Sequence, residues 1–176
     1  MIDKVIKEKN RWHQLALEQA AVISDGCTSC GACQIHCTFL TRYGTPKELC
    51  NDGGLSSPDI VTAAYLCSLC GLCSVMCPEK LDPCSWFLAV RRLAVETGVT
   101  DLSRYRTILN YEKTGSSTLF SYYGFPEGCN TIFFPGCTLP GSRPETTWKL
   151  FLHLKTTLPS LGIVLDCCTK PSHDLG

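Results

Sequence analysis

Four cysteines fall within eleven residues in CTSCGACQIHC, from Cys27 to Cys37, with two, two and three residues between them. The same spacing returns in CSLCGLCSVMCP, from Cys67 to Pro78. Four thiolates spaced in this way can wrap one side of a compact inorganic cluster, because successive two-residue gaps bring neighbouring sulfurs to adjacent corners. Gly31 and Gly71 let each loop curl tightly, and Pro78 turns the chain away after the last ligand.

In the two-cluster bacterial form of this pattern, the fourth cysteine of each run ligates the other cluster. The spacing therefore predicts two 4Fe-4S clusters. One takes Cys27, Cys30, Cys33 and Cys77; the other takes Cys67, Cys70, Cys73 and Cys37. Structural zinc is the alternative metal, although its ligands usually arrive as two separated pairs. Disulfides are the other alternative, since 14 of 176 residues are cysteine, near the ~8–10% level of small secreted scaffolds. Secretion is not expected, because MIDKVIKEKNRWHQLALEQA mixes charged and apolar residues and lacks the apolar core of a signal peptide. A reducing cytoplasm is the expected compartment, where clustered cysteines more often bind metal.

No apolar run approaches the ~18 residues of a membrane span, so a soluble protein is expected. Lys plus Arg balance Asp plus Glu at 16 each, which leaves no field to attract nucleic acid or an anionic membrane.

Apolar residues at Val5, Ile6, Trp12, Leu15, Ala16 and Val22, with Gln19, recur at helical spacing over residues 3 to 22, and Gly26 closes that segment. Ser57 with Pro58, and Asp82 with Pro83, are N-cap and first-turn pairs that open helices beside the second cysteine run. Gly98 lies beyond the second of them. Residues 101 to 130 are rich in Gly, Ser and Tyr and read as a linker. TIFF, a helix from Pro144 and GIVLD then spell strand, helix, strand. The expected fold is mainly α: a helical dicluster domain over 1 to 100, a linker over 101 to 130, and a small, incomplete α/β (βαβ) cysteine-rich domain over 131 to 176.

A helical crossover makes the two strands parallel, which brings Cys137, Cys167 and Cys168 to the same carboxyl edge of the sheet, where open α/β sheets place ligands. Two parallel strands with one helix leave edges and a face uncovered, so an interaction surface is expected there.

Taken together, CTSCGACQIHC, YGTPKEL, CSLCGLCSVMCPEKLDP, FFPGCTLPGSRP and DCCTKPSHDLG resemble heterodisulfide reductase-related iron-sulfur proteins of anaerobes over nearly the whole chain. The resemblance implies an α-helical ferredoxin domain followed by a CCG-type cysteine-rich domain. It implies electron transfer within an anaerobic oxidoreductase, as part of a multi-subunit complex with a flavoprotein, a ferredoxin or a catalytic subunit as redox partner. It also implies that Cys137, Cys167 and Cys168 ligate a further iron-sulfur cluster used in disulfide reduction. The chain departs from the family at Thr38, where a proline is usual, and at Thr169, where CCG has glycine. It also reaches Gly176 before any later CxxC, so a partner chain, a second copy or a C-terminal continuation would have to complete the site. A catalytic disulfide-reducing subunit and a redox-sensing or structural iron-sulfur protein are the competing expectations.

Cys50, Cys84 and Cys129 lie outside both constellations and are expected to fill space. His36 is expected at the surface, His173 beside a helix start capped by Ser172, and Trp12, Trp86 and Trp148 as packing residues.

Overall fold

The computed structural model describes residues 11–51, 55 and 57–176. Val5 and Ile6 of the first expected helix lie outside the described residues. The chain divides into two compact units, Met1–Ser103 with His173–Gly176, and Arg104–Ser172.

The first unit is helical. Helix α1 (Arg11–Gly26) is followed by α2 (Thr38–Tyr43), α3 (Pro46–Asn51), α4 (Pro58–Leu66), α5 (Leu72–Met76) and α6 (Pro83–Glu96). The Ser57 hydroxyl accepts the Ile60 N–H at 3.2 Å to open α4, and Asp82 accepts the Ser85 N–H at 3.2 Å to open α6. Each satisfies an amide that a helix start would otherwise orphan. After Glu96 the chain leaves through Gly98 at φ +70, a left-handed position that suits glycine.

Helix α6 is the spine of this unit and packs against α1, α4 and α5. It buries Trp86, Phe87, Ala89, Val90, Leu93 and Ala94, of which Trp86, Phe87, Val90 and Ala94 share one core with Ala20 and Ile23 of α1, Leu40 of α2 and Ile60, Val61 and Ala64 of α4. Burying a side chain such as Phe87 contributes about 1.5–3 kcal/mol. On α1 the buried residues are Ala16, Ala20 and Ile23, whereas Val22 is 61% exposed and does not belong to the apolar stripe expected of it. Ala20 and Ile23 continue the stripe from Ala16 at steps of four and three, and Val22 falls on the opposite side.

In the second unit, a 3-10 turn (Leu102–Tyr105, its last two residues in this unit) precedes α7 (Arg106–Gly115), β1 (Tyr122–Gly124), β2 (Ile132–Phe133), α8 (Thr138–Ser142), α9 (Pro144–Thr157) and β3 (Gly162–Leu165). The stretch expected as a linker thus carries a helix and a strand. Both bury little: Glu112 is the buried residue of α7, and Tyr122 and Tyr123 are exposed. Strand order is β1-β3-β2, with β2 parallel to β3 through α9 as expected, and β1 antiparallel to β3 with Tyr123 opposite Val164. Phe151 of α9 packs on Leu161 and Ile163, with Phe133, Leu154 and Leu165 around them. Trp148 leans on Phe151 but is 53% exposed, so it packs less than expected.

Helix α10 (Lys170–Leu175) begins before Ser172, so Ser172 is not its cap. Its N–H instead donates to Glu112 Oε2 at 2.9 Å. None of the described helices is long and apolar enough to cross a membrane.

Candidate metal centres

The two cysteine runs fold alike. Each starts where a helix ends, the first after Gly26 of α1 and the second after Leu66 of α4. Ser29 and Leu69, two residues after the leading cysteine, are left-handed at φ 54 and 51, and Gly31 and Gly71 are both at φ 76. The chain then turns helically, with Gln34 N–H bonded to Gly31 O at 2.9 Å and Ser74 N–H bonded to Gly71 O at 3.1 Å. Non-glycine residues in the left-handed region cost of order 1–3 kcal/mol and persist where the surroundings fix them.

Cys27, Cys30, Cys33 and Cys77 line one cavity, with Thr45, Pro46, Glu79 and Leu81 among its walls. Cys37, Cys67, Cys70 and Cys73 line a second, with Phe39, Leu40, Leu72 and Phe87. Cys73 lines both, so the cavities share a wall. Their cavity volumes are about 20 and 30 Å³. A Cβ at Gly71 would meet no atom within 4 Å, which leaves space beside the second set of thiols. Among the described residues, no three Cys, His, Asp or Glu side chains gather as they would around one ion. Thiolates bound to a single zinc at 2.3 Å would stand only about 3.8 Å apart. A donor set of four thiols around each of two largely apolar cavities has the chemistry that an iron-sulfur cluster requires.

Burial sets the protonation of these thiols. It pushes Cys73 up to about 12 and raises Cys33 and Cys67, with neighbouring thiols adding to the effect at Cys33. Cys70 goes the other way, lowered by bonds from the Leu72 N–H and the Ser68 hydroxyl. A thiolate-bound metal must displace protons from the raised thiols, which couples binding to pH.

The residues that support the loops carry charge. Lys47 Nζ donates to the Cys27 carbonyl at 3.3 Å, and the Arg91 guanidinium donates to the Cys67 carbonyl. Sequence reasoning missed both. Arg91 stands four residues after Phe87 and three before Ala94, on the apolar side of α6, and that position was the available signal. Cys84, expected as filler, lines the second cavity. Cys50 packs against the core, and burial, with Cys27 nearby, pushes it up to about 12. His36 is exposed, as expected.

A scan of protein-family models matches residues 26–82 to a 4Fe-4S dicluster domain. The chain is an iron-sulfur protein. Comparison with curated proteins and with solved structures returns no significant match. The dicluster match spans both cysteine runs and the helices between them, and ends at the cap of α6. Thr38, placed where the second run has Pro78, opens α2 directly after Cys37. An iron-sulfur electron-transfer role follows from the dicluster domain.

In the second unit, Cys137 and Cys167 line a cavity of about 340 Å³ with Tyr111, Phe120 and Asp166. Cys168 is exposed and is not among the residues of that wall. The Asp166 carboxylate accepts the Cys167 N–H at 2.6 Å and the Tyr123 hydroxyl. Cys129 lies by Gly162, at the end of β3 opposite Cys167, and its thiol donates to Thr131 O at 3.4 Å. His173, in the first unit, stands 3.2 Å from Arg92 Nη2 and 3.0 Å from Asp174 Oδ1.

Proposed function

We propose that this protein relays single electrons through two 4Fe-4S clusters, one on Cys27, Cys30, Cys33 and Cys77 and the other on Cys67, Cys70, Cys73 and Cys37. When bound, such a cluster supplies a one-electron couple whose potential responds to charge, hydrogen bonds and burial. The protein's part is to hold the thiols, exclude water and keep the two sites close. The observation that supports this reading is that each set of four cysteines lines its own cavity and that Cys73 borders both.

Resemblance supplies the setting: a cytoplasmic, heterodisulfide reductase-like oxidoreductase of anaerobes, with a flavoprotein, a ferredoxin or a catalytic subunit as partner. The test is iron and acid-labile sulfide on anaerobically purified protein. About eight irons per chain supports the reading; bound zinc without iron overturns it.

A second reading rests on the cavity shared by Cys137 and Cys167. With Cys168 and groups from a partner chain, these thiols would hold a further cluster and make the chain a disulfide-reducing subunit. About twelve irons per chain in the assembled complex, with thiol-dependent reductase turnover, supports it. Eight irons and no turnover sinks it.

A further inference from the structure

Five thiols line the cavity of the second cysteine run: Cys37, Cys67, Cys70, Cys73 and Cys84. Cys84 comes from outside either run. It stands in the first turn of α6, directly after Pro83, and Phe87, three residues further on, lines the same cavity. The start of that helix is tied to the loop it faces. One carboxylate oxygen of Asp82 accepts both the Ser85 N–H, at 3.2 Å, and the hydroxyl of Ser74, the residue after Cys73. Cys84, held between Asp82 and Ser85, is half-buried against the core of the first unit. It lies close enough to Cys67 and Cys73 for its charge to act on both, and those two flank Cys70 in the loop.

The first cavity differs. The cysteines on its wall are Cys27, Cys30, Cys33 and Cys77, with Cys73, which already belongs to the other set. Among the described residues, no cysteine from outside the two runs lines it. Cys50 lies near Cys27 but packs against the core and is not on that wall.

Cys70 is the exposed member of the second set, whereas Cys37 and Cys67 are half-buried and Cys73 is buried. An exposed thiolate is the one that oxidants and alkylating agents reach first. The first turn of a helix is in turn a favourable place for a thiolate, because unpaired N–H groups and the positive end of the macrodipole lie there.

Building on the dicluster reading, we infer that Cys84 is a reserve ligand of the Cys67-side site, one that takes over when Cys70 is lost. In the exchange the bond from iron to Cys70 Sγ breaks and a bond from iron to Cys84 Sγ forms. The Cys84 proton passes to the released Cys70 thiolate, or to water where residue 70 has no thiol, and no electron changes hands. The Cys27-side site has no such reserve.

The test is iron and acid-labile sulfide on anaerobically purified variants, with low-temperature paramagnetic resonance of the dithionite-reduced protein. Alanine is used because a serine oxygen could itself bind iron. Cys70→Ala should keep about eight irons per chain, with an altered signal from the Cys67 side. Cys70→Ala combined with Cys84→Ala should lose about half of that iron, and so should Cys30→Ala. Iodoacetamide reads the same exchange with all ligands in place. Mass spectrometry should find it on Cys70 of the loaded wild type while iron stays bound and Cys84 is unlabelled. Cys84→Ala should lose iron severalfold faster under the same treatment.

A Cys70→Ala protein that loses iron as Cys30→Ala does overturns the inference. So does a double variant that keeps about eight irons. If Cys70→Ala does not fold, the alkylation decides: wild-type iron lost in step with Cys70 labelling, at the rate seen in Cys84→Ala, overturns it. A wild-type count well below about eight irons would instead overturn the dicluster reading on which this rests.

Discussion

The cysteines of the first unit stand in cavities backed by a broad core running from Ala20 to Ala94, whereas those of the second sit at the edge of a three-stranded sheet whose buried cluster is Phe151, Leu161 and Ile163. Four ligands can hold a rigid cluster only if their backbones stay in register, and packing is what keeps them there. In the first unit, α6 ties both loops to one core. In the second, Cys137 and Cys167 share a cavity but Cys168 does not join its wall. Two regions rich in the same side chain therefore differ in how firmly geometry is imposed on it.

The largest effect should come from breaking that difference at a ligand. Cys37→Ser should remove iron chiefly from the site formed by residues 67 to 73, dropping the count from about eight toward four, while Cys168→Ser leaves it unchanged. Equal loss from both would mean that the two regions contribute alike. Trp86→Ala should follow, costing about 3–5 kcal/mol and releasing both clusters in a chemical denaturation series monitored by visible absorbance. Phe151→Ala should destabilise the second unit while leaving the iron absorbance intact. Ser57→Ala removes the α4 cap and should cost about 1 kcal/mol, read as a lower denaturation midpoint.

The last effect is confined to alkaline pH. Burial raises Cys50 from 9.0 to about 12, so an unfolded chain ionises this thiol while the folded one keeps it protonated. That contribution to stability is whole below pH 9 and is lost between 9 and about 12. Cys50→Ala should flatten the alkaline decline in denaturation midpoint, and an unchanged slope would count against it.

Much of the first site was legible in the sequence because a cluster demands a fixed ligand type at fixed spacing, and the helix starts beside it use side chains with one clear role, Ser57, Asp82 and their prolines. What escaped notice depends on partners distant in sequence. Strand β1 is three residues long and forms by pairing with β3, more than thirty residues further on. Helix α7 turns most of its surface to water, so its residues carry little of the burial pattern that marks a core helix. Arg91 reads as a solvated charge next to Arg92 until Cys67 and Ala64 are seen to offer it carbonyls.

The crossing of Cys37 and Cys77 between the two loops also has a consequence in time. On the ligand assignment proposed above, a ribosome that has made Cys33 must add 44 more residues before Cys77 exists, about 2–9 s at ordinary elongation rates. Until then the first site has three of its four ligands, and the second has only Cys37 until synthesis reaches Cys67. On that assignment the two ligand sets are completed almost together, within the last few residues of the second loop, so neither site can take a fully ligated cluster before residues 73 to 77 have been made.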